Sequence, residues 1–72
     1  MKMIIKDFHP FRISVPDLVG ATIKSGHGDS VRVSHNGWGY DVTIGERGYQ
    51  KLDAGGLCYL LNQWECTAEL EV

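Results

Sequence analysis

The sequence predicts an α+β domain: a small antiparallel β-sheet, built from a central hairpin over 31–44 and a C-terminal strand over 66–72, packed against one α-helix over about 54–65. Three observations carry this. Asn36-Gly37 is the preferred pair for a two-residue hairpin turn and sits between two alternating apolar runs. Leu57, Leu60, Leu61 and Trp64 recur at i, i+3, i+4 and i+7, the spacing of one helix face. Cys66, Ala68, Leu70 and Val72 alternate with Thr67, Glu69 and Glu71, the period of a strand with one buried face.

In chain order, Met3-Ile4-Ile5 reads as an edge strand or loop, because Pro10 removes a ladder donor and bars a central strand there. A strand is expected around 12–15, broken by Pro16 and Asp17. Residues 18–24 resume as a weaker strand with Val19, Ala21 and Ile23 on one side and Gly20 against it. Ser25-Gly-His-Gly-Asp-Ser30 reads as a loop with nothing to pack. In the hairpin, a type I′ turn at Asn36-Gly37 sets Val33 opposite Tyr40 and Arg32 opposite Asp41. It gathers Val31, Val33, His35, Trp38, Tyr40, Val42 and Ile44 on the core face. Gly45-Glu46-Arg47-Gly48 reads as a second turn and 49–52 as a short extended piece. Asp53 is the expected N-cap of the helix. Gly55-Gly56, poor helix formers, point to the close approach of another backbone or a late helix start. The core is then Val31, Val33, Tyr40, Val42 and Ile44 against Leu57, Leu60, Leu61 and Trp64, with Leu70 and Ile13 in support.

Seventy-two residues make a single domain over 1–72, with 43% hydrophobic and 22% charged residues, the balance of a globular chain. It is expected to fold by itself or as a small oligomer such as a homodimer. The formal net charge of −2 disfavours sequence-independent nucleic-acid binding, which draws on neutralised phosphates. No apolar run approaches a signal-peptide core or a membrane span, so a cytoplasmic protein with no membrane contact is expected. Cys58 and Cys66 fit no metal or redox spacing and are expected as free, buried thiols.

Catalytic residues, metal ligands and cofactors are not expected. The serines lack an activating signature, and the loop glycines match no phosphate-binding pattern. His35 reads as a rim residue beside Trp38, and His9 has no evident partner. His27, glycine-flanked near Asp29, is the best candidate for a titrating or contacting group. Tyr59 lies off the helix stripe and is the aromatic expected at the surface, where Trp and Tyr anchor interfaces. Glu65, Glu69 and Glu71 crowd the C-terminal end, either as a solubilising edge or as a contact for a basic partner.

In size and acidic bias the chain is similar, as a type, to the small inhibitor and adaptor proteins of phages and other mobile elements. That likeness rests on no motif. The expected function is therefore non-catalytic protein binding that occludes a basic surface of a larger protein, with His27, Asp29, Tyr59, Glu65, Glu69 and Glu71 as candidate contacts. The alternative is a small-ligand or single-stranded nucleic-acid binding module, in which Lys24, Arg32, Arg47 and Lys51 would converge beside an exposed aromatic.

Overall fold

Six antiparallel strands form one sheet in the spatial order β1-β6-β2-β3-β4-β5 in the computed structural model, which describes residues 1–71. The strands are β1 (Lys2–Ile5), β2 (Thr22–Lys24), β3 (Ser30–Asn36), β4 (Gly39–Ile44), β5 (Arg47–Leu52) and β6 (Thr67–Glu71), with one helix, α1 (Ala54–Gln63). The α+β class and the single helix on an antiparallel sheet are as the periodicities require. The expected inward placement of Val72 lies outside the described residues.

Helix α1 packs over β4 and β5. Segment 8–18 covers the other half of the same face, with Phe8, Val15 and Leu18 buried and a short 3₁₀ turn at Val15–Leu18 against β6. The expected strand at 12–15 is therefore not formed. Its apolar residues are a covering layer, and Pro16 is the second residue of the 3₁₀ turn, where a missing N–H costs nothing. Asn62 ties this layer to the helix, accepting from Phe8 N–H and donating to Phe8 O, both at 2.8 Å.

The central hairpin keeps its faces but not its register. Asn36 pairs with Gly39, His35 with Tyr40, Ser34 with Asp41, Val33 with Val42 and Arg32 with Thr43. The loop is Gly37-Trp38, so Arg32 does not oppose Asp41 and Val33 does not oppose Tyr40. Neither Asn36 nor Gly37 takes a positive φ, and no type I′ turn forms there. The cause is the Asn36 side chain. Its Oδ1 accepts from Trp38 N–H at 2.8 Å and its Nδ2 donates to Asp41 at 2.9 Å, so it closes its own Asx turn one residue later. A slip of two residues preserves the side-chain parity, which is why Val31, Val33, Val42 and Ile44 are still buried.

Other boundaries move for local reasons. The second turn is only Gly45-Glu46, with Gly45 at φ 59, and β5 starts at Arg47. Of 18–24 only Thr22–Lys24 is strand, since Ala21 N–H donates to Leu18 O in a turn that holds Gly20 at φ 83. The helix starts at Ala54 as Asp53 requires, its carboxylate accepting from Gly56 N–H at 2.6 Å. No other backbone approaches Gly55-Gly56; a Cβ on Gly56 would stand 3.1 Å from that carboxylate, so what crowds it is the cap's own side chain. The helix ends at Gln63, two residues early, because Glu65 adopts φ 52 and Cys66 N–H turns back to Leu61 O at 2.9 Å.

The 25–30 loop is also better packed than its composition suggests. Ser25 is buried, its hydroxyl accepting from His27 N–H and Asp29 N–H. Gly26 N–H donates to Trp64 O at the helix end. The opposite sheet face carries no layer and is polar apart from Ile4, 56% exposed beside Glu69: Lys2, Thr22, Lys24, Arg32, Ser34, Thr43, Gln50, Glu69 and Glu71 are all exposed there. Within the described residues no helix is long and apolar enough to cross a membrane.

Candidate functional site

The β3–β4 hairpin tip holds an apolar surface in a fixed position. Asn36 and Asp41 are joined side chain to side chain, and the second Asp41 oxygen accepts from Lys51 N–H at 3.2 Å. That bond reaches into β5 where its register against β4 shifts and Lys51 takes φ 61. Gly39, at φ 154, passes so close to β5 that a Cβ there would stand 2.7 Å from Leu52 O. Two hairpins are thus clamped together behind the turn. In front of it stands Trp38, 87% exposed, beside a depression of about 310 Å³ that it shares with Lys51. A large exposed indole and a left-handed lysine are both costly to hold. Together they line a depression that offers an apolar or aromatic group the face of an indole.

Reading Asn36-Gly37 as the turn put Trp38 on the core side of a strand. The overlooked signal is glycine on both sides of Trp38, which makes it the residue most exposed by a tight loop. His35 is also exposed, and its ring tilts against Tyr40 at 4.9 Å instead of Trp38. His9 does have a neighbour, the ring of Phe11 at 5.6 Å, and its Nδ1 accepts from Phe11 N–H.

The candidate residues fall into three places. His27, Asp29 and Glu65 share the end of the molecule opposite Trp38. There Ser25 organises the loop, and a Cβ on Gly26 would meet Glu65 at 3.0 Å. Tyr59, 67% exposed, stands on the outer helix face with its hydroxyl accepting from Gln63. Glu69 and Glu71 lie on the open sheet face, with Lys2 opposite Glu71 and 3.8 Å from Glu69. The structure does not bring Glu65 into a strip with the other two.

The basic residues are dispersed as well. Lys24 and Arg32 stand on the open face, Arg47 lies 5.7 Å over the Trp64 ring at one end of β5, and Lys51 lies near its other end. Among the described residues no three His, Cys, Asp or Glu side chains gather as a metal-binding group. Cys58 and Cys66 are free and buried, and desolvation raises both thiols, Cys66 to about 11. Neither is placed or activated as a nucleophile. No family model, curated protein or solved structure matches the chain.

Proposed function

We propose that this chain is a non-catalytic protein-binding domain that docks through the Trp38 end and acts as an inhibitor or adaptor by covering a surface of a larger protein. The observation that carries the reading is Trp38 itself, 87% exposed yet held by the Asn36–Asp41–Lys51 hydrogen bonds. A turn whose backbone is tied before binding loses little main-chain freedom on docking, and exposed aromatic residues dominate interface energetics. Affinity capture with mass spectrometry tests it. The parent bait retains a protein that a Trp38→Ala bait loses, whereas Tyr59→Ala changes little. The expected loss is about 30-fold or more in affinity, the effect of a hot-spot truncation. Equal capture by the parent and Trp38→Ala overturns the reading. So does turnover of a small substrate that His27→Ala abolishes.

The second reading, a single-strand nucleic-acid module, draws on the Trp38 and Lys51 pair, since stacking beside a cation is the minimal element of such sites. It ranks second because the remaining basic residues are scattered and the net charge is −2. Oligonucleotide binding that weakens steeply with salt reverses the ranking.

A further inference from the structure

The two free edges of the sheet are built differently. Among the described residues no strand pairs with the outer side of β1 or of β5. The β5 edge is guarded: Arg47 and Lys51 are exposed on it, its register against β4 shifts, and Lys51 takes φ 61, so its outer ladder is interrupted. The β1 edge has none of these devices. It pairs with β6 residue for residue without a shift, and Lys2 is its one charge. Its apolar side chains are left outside, with Met1 96%, Met3 43% and Ile4 56% exposed. A regular apolar edge is a template for a further strand.

We infer that two copies of this chain associate edge to edge through β1, in antiparallel pairing about a two-fold axis. The seam lies apart from Trp38, which stands on the β3–β4 hairpin with β6 and β2 between.

A second copy fits because the edge is complementary to itself. The axis that sets β1 antiparallel to its own copy stands perpendicular to the sheet, so both covered faces lie on one side and opposed residues share a face. Three registers meet that condition. One centred on Lys2 opposes the two Lys2 ammoniums, and one centred on Ile4 opposes Lys2 to Lys6; like charges directly opposite are destabilising. The register centred on Met3 opposes Met3 to Met3 and Lys2 to Ile4. Its covered face carries the row Leu70, Met3, Met3, Leu70 across the seam. Its open face carries the row Glu69, Ile4, Lys2, Glu71, the last two from the second copy. Carboxylates of the two copies then stand three strand spacings apart, roughly 14 Å, beyond the screening length of about 10 Å at 0.1 M salt. On β1 to β4 and β6 the open face sets Lys2, Lys24 and Arg32 against Asp41, Glu69 and Glu71, so two copies meet without a field of one sign. The joined sheet ends on both sides in the guarded β5, and assembly stops at two.

Residues 1–5 of each copy form the seam, fewer than the roughly 20–30 a side of a standard interface, so a weak dimer is expected, with Kd between about 10 μM and 1 mM. Sedimentation equilibrium across that concentration range, under reducing conditions, measures it. Ile4→Lys sets an ammonium opposite Lys2 and should weaken the dimer at least about tenfold with an unchanged circular dichroism spectrum, whereas Trp38→Ala leaves association as it is.

Oxidised glutathione added to Lys2→Cys, Met3→Cys and Ile4→Cys reads the register. Only position 3 brings its two Cα atoms to about 4.5–5.5 Å, inside the disulfide range of about 4.4–6.8 Å, while positions 2 and 4 stand about 7–8 Å from their copies. Met3→Cys should therefore cross-link at least about tenfold faster than the other two. The parent, with Cys58 and Cys66 buried, is the control. A chain monomeric at the top of the range, cross-linking that is equal at the three positions or fastest at 2 or 4, a dimer indifferent to Ile4→Lys, or one lost in Trp38→Ala overturns the inference. A chain monomeric alone that captures a protein which Ile4→Lys loses gives the edge to a partner's strand, and the second copy is then wrong. Failure of the dimer leaves docking through Trp38 standing.

Discussion

The two halves of the covered sheet face are built on different plans. Over β4 and β5 lies a capped amphipathic helix, and every strand there joins its neighbour through a two-residue loop. Over β1, β6 and β2 lies segment 8–18, with one short 3₁₀ turn, and its strands come from opposite parts of the chain. Burial is nonetheless equal. Leu57 and Leu61 under the helix and Leu18 in the irregular layer are all at 0% exposure. A core is completed by apolar volume delivered to the right place, whether or not the backbone delivering it is regular.

The sharpest test pairs Leu57→Ala with Leu18→Ala. Each should cost about 3 kcal/mol by denaturant unfolding, since both remove a fully buried leucine. A cost below about 1 kcal/mol at Leu18 would break the equivalence and show the irregular layer to be loosely laid on a core it does not complete. Asn62→Ala tests the seam between the halves. It leaves Phe8 N–H and O without their partners and should cost about 1–3 kcal/mol, with faster hydrogen exchange at Phe8.

The regular half was legible and the irregular half was not, for one physical reason. The period of Leu57, Leu60, Leu61 and Trp64, the cap at Asp53 and the parity of Val31 and Val33 are local properties, and each can be read within a dozen residues. The burial of Phe8 and Val15 follows from contacts with residues far along the chain, Asn62 among them. Their spacing also carries no period that separates a covering loop from a strand. The site failed in the same way on a smaller scale. Choosing between Asn36-Gly37 and Gly37-Trp38 as the turn depends on Asp41, whose carboxylate takes the Asn36 amide. Glu69 and Glu71 face outward as their alternation requires, but the Lys2 that stands beside both comes from β1 at the other end of the chain, which no feature of β6 records.

Alkaline titration compares the halves through their thiols. Burial raises Cys58 in the helix and Cys66 before β6, the latter from 9.0 to about 11. The unfolded chain thus releases these protons at lower pH than the folded one, and the stability they contribute is complete below about pH 9 and lost as pH rises towards 11. Cys66→Ala should flatten that decline more than Cys58→Ala, as followed by thermal midpoints across that range. The smallest expected effect is a gain. Glu65→Gly relieves a left-handed residue at the helix stop and should stabilise by about 0.5–1 kcal/mol, read from the denaturation midpoint. A loss instead would mean that Glu65 makes a contact worth more than its strain.

The placement of β6 between β1 and β2 also orders events in time. The β3–β4–β5 meander closes loops of two residues, the kind of contact that forms on a scale of about 1–10 μs. Strand β6 must reach back across nearly the whole chain, pairing Glu71 with Lys2, before its half of the sheet exists. Non-local pairing of this kind costs more loop-closure entropy and is completed after the local contacts. Mutations in the meander should therefore change the refolding rate, while those in β1 and β6 should mainly accelerate unfolding. That makes the seam along β6 the place where the native state first opens.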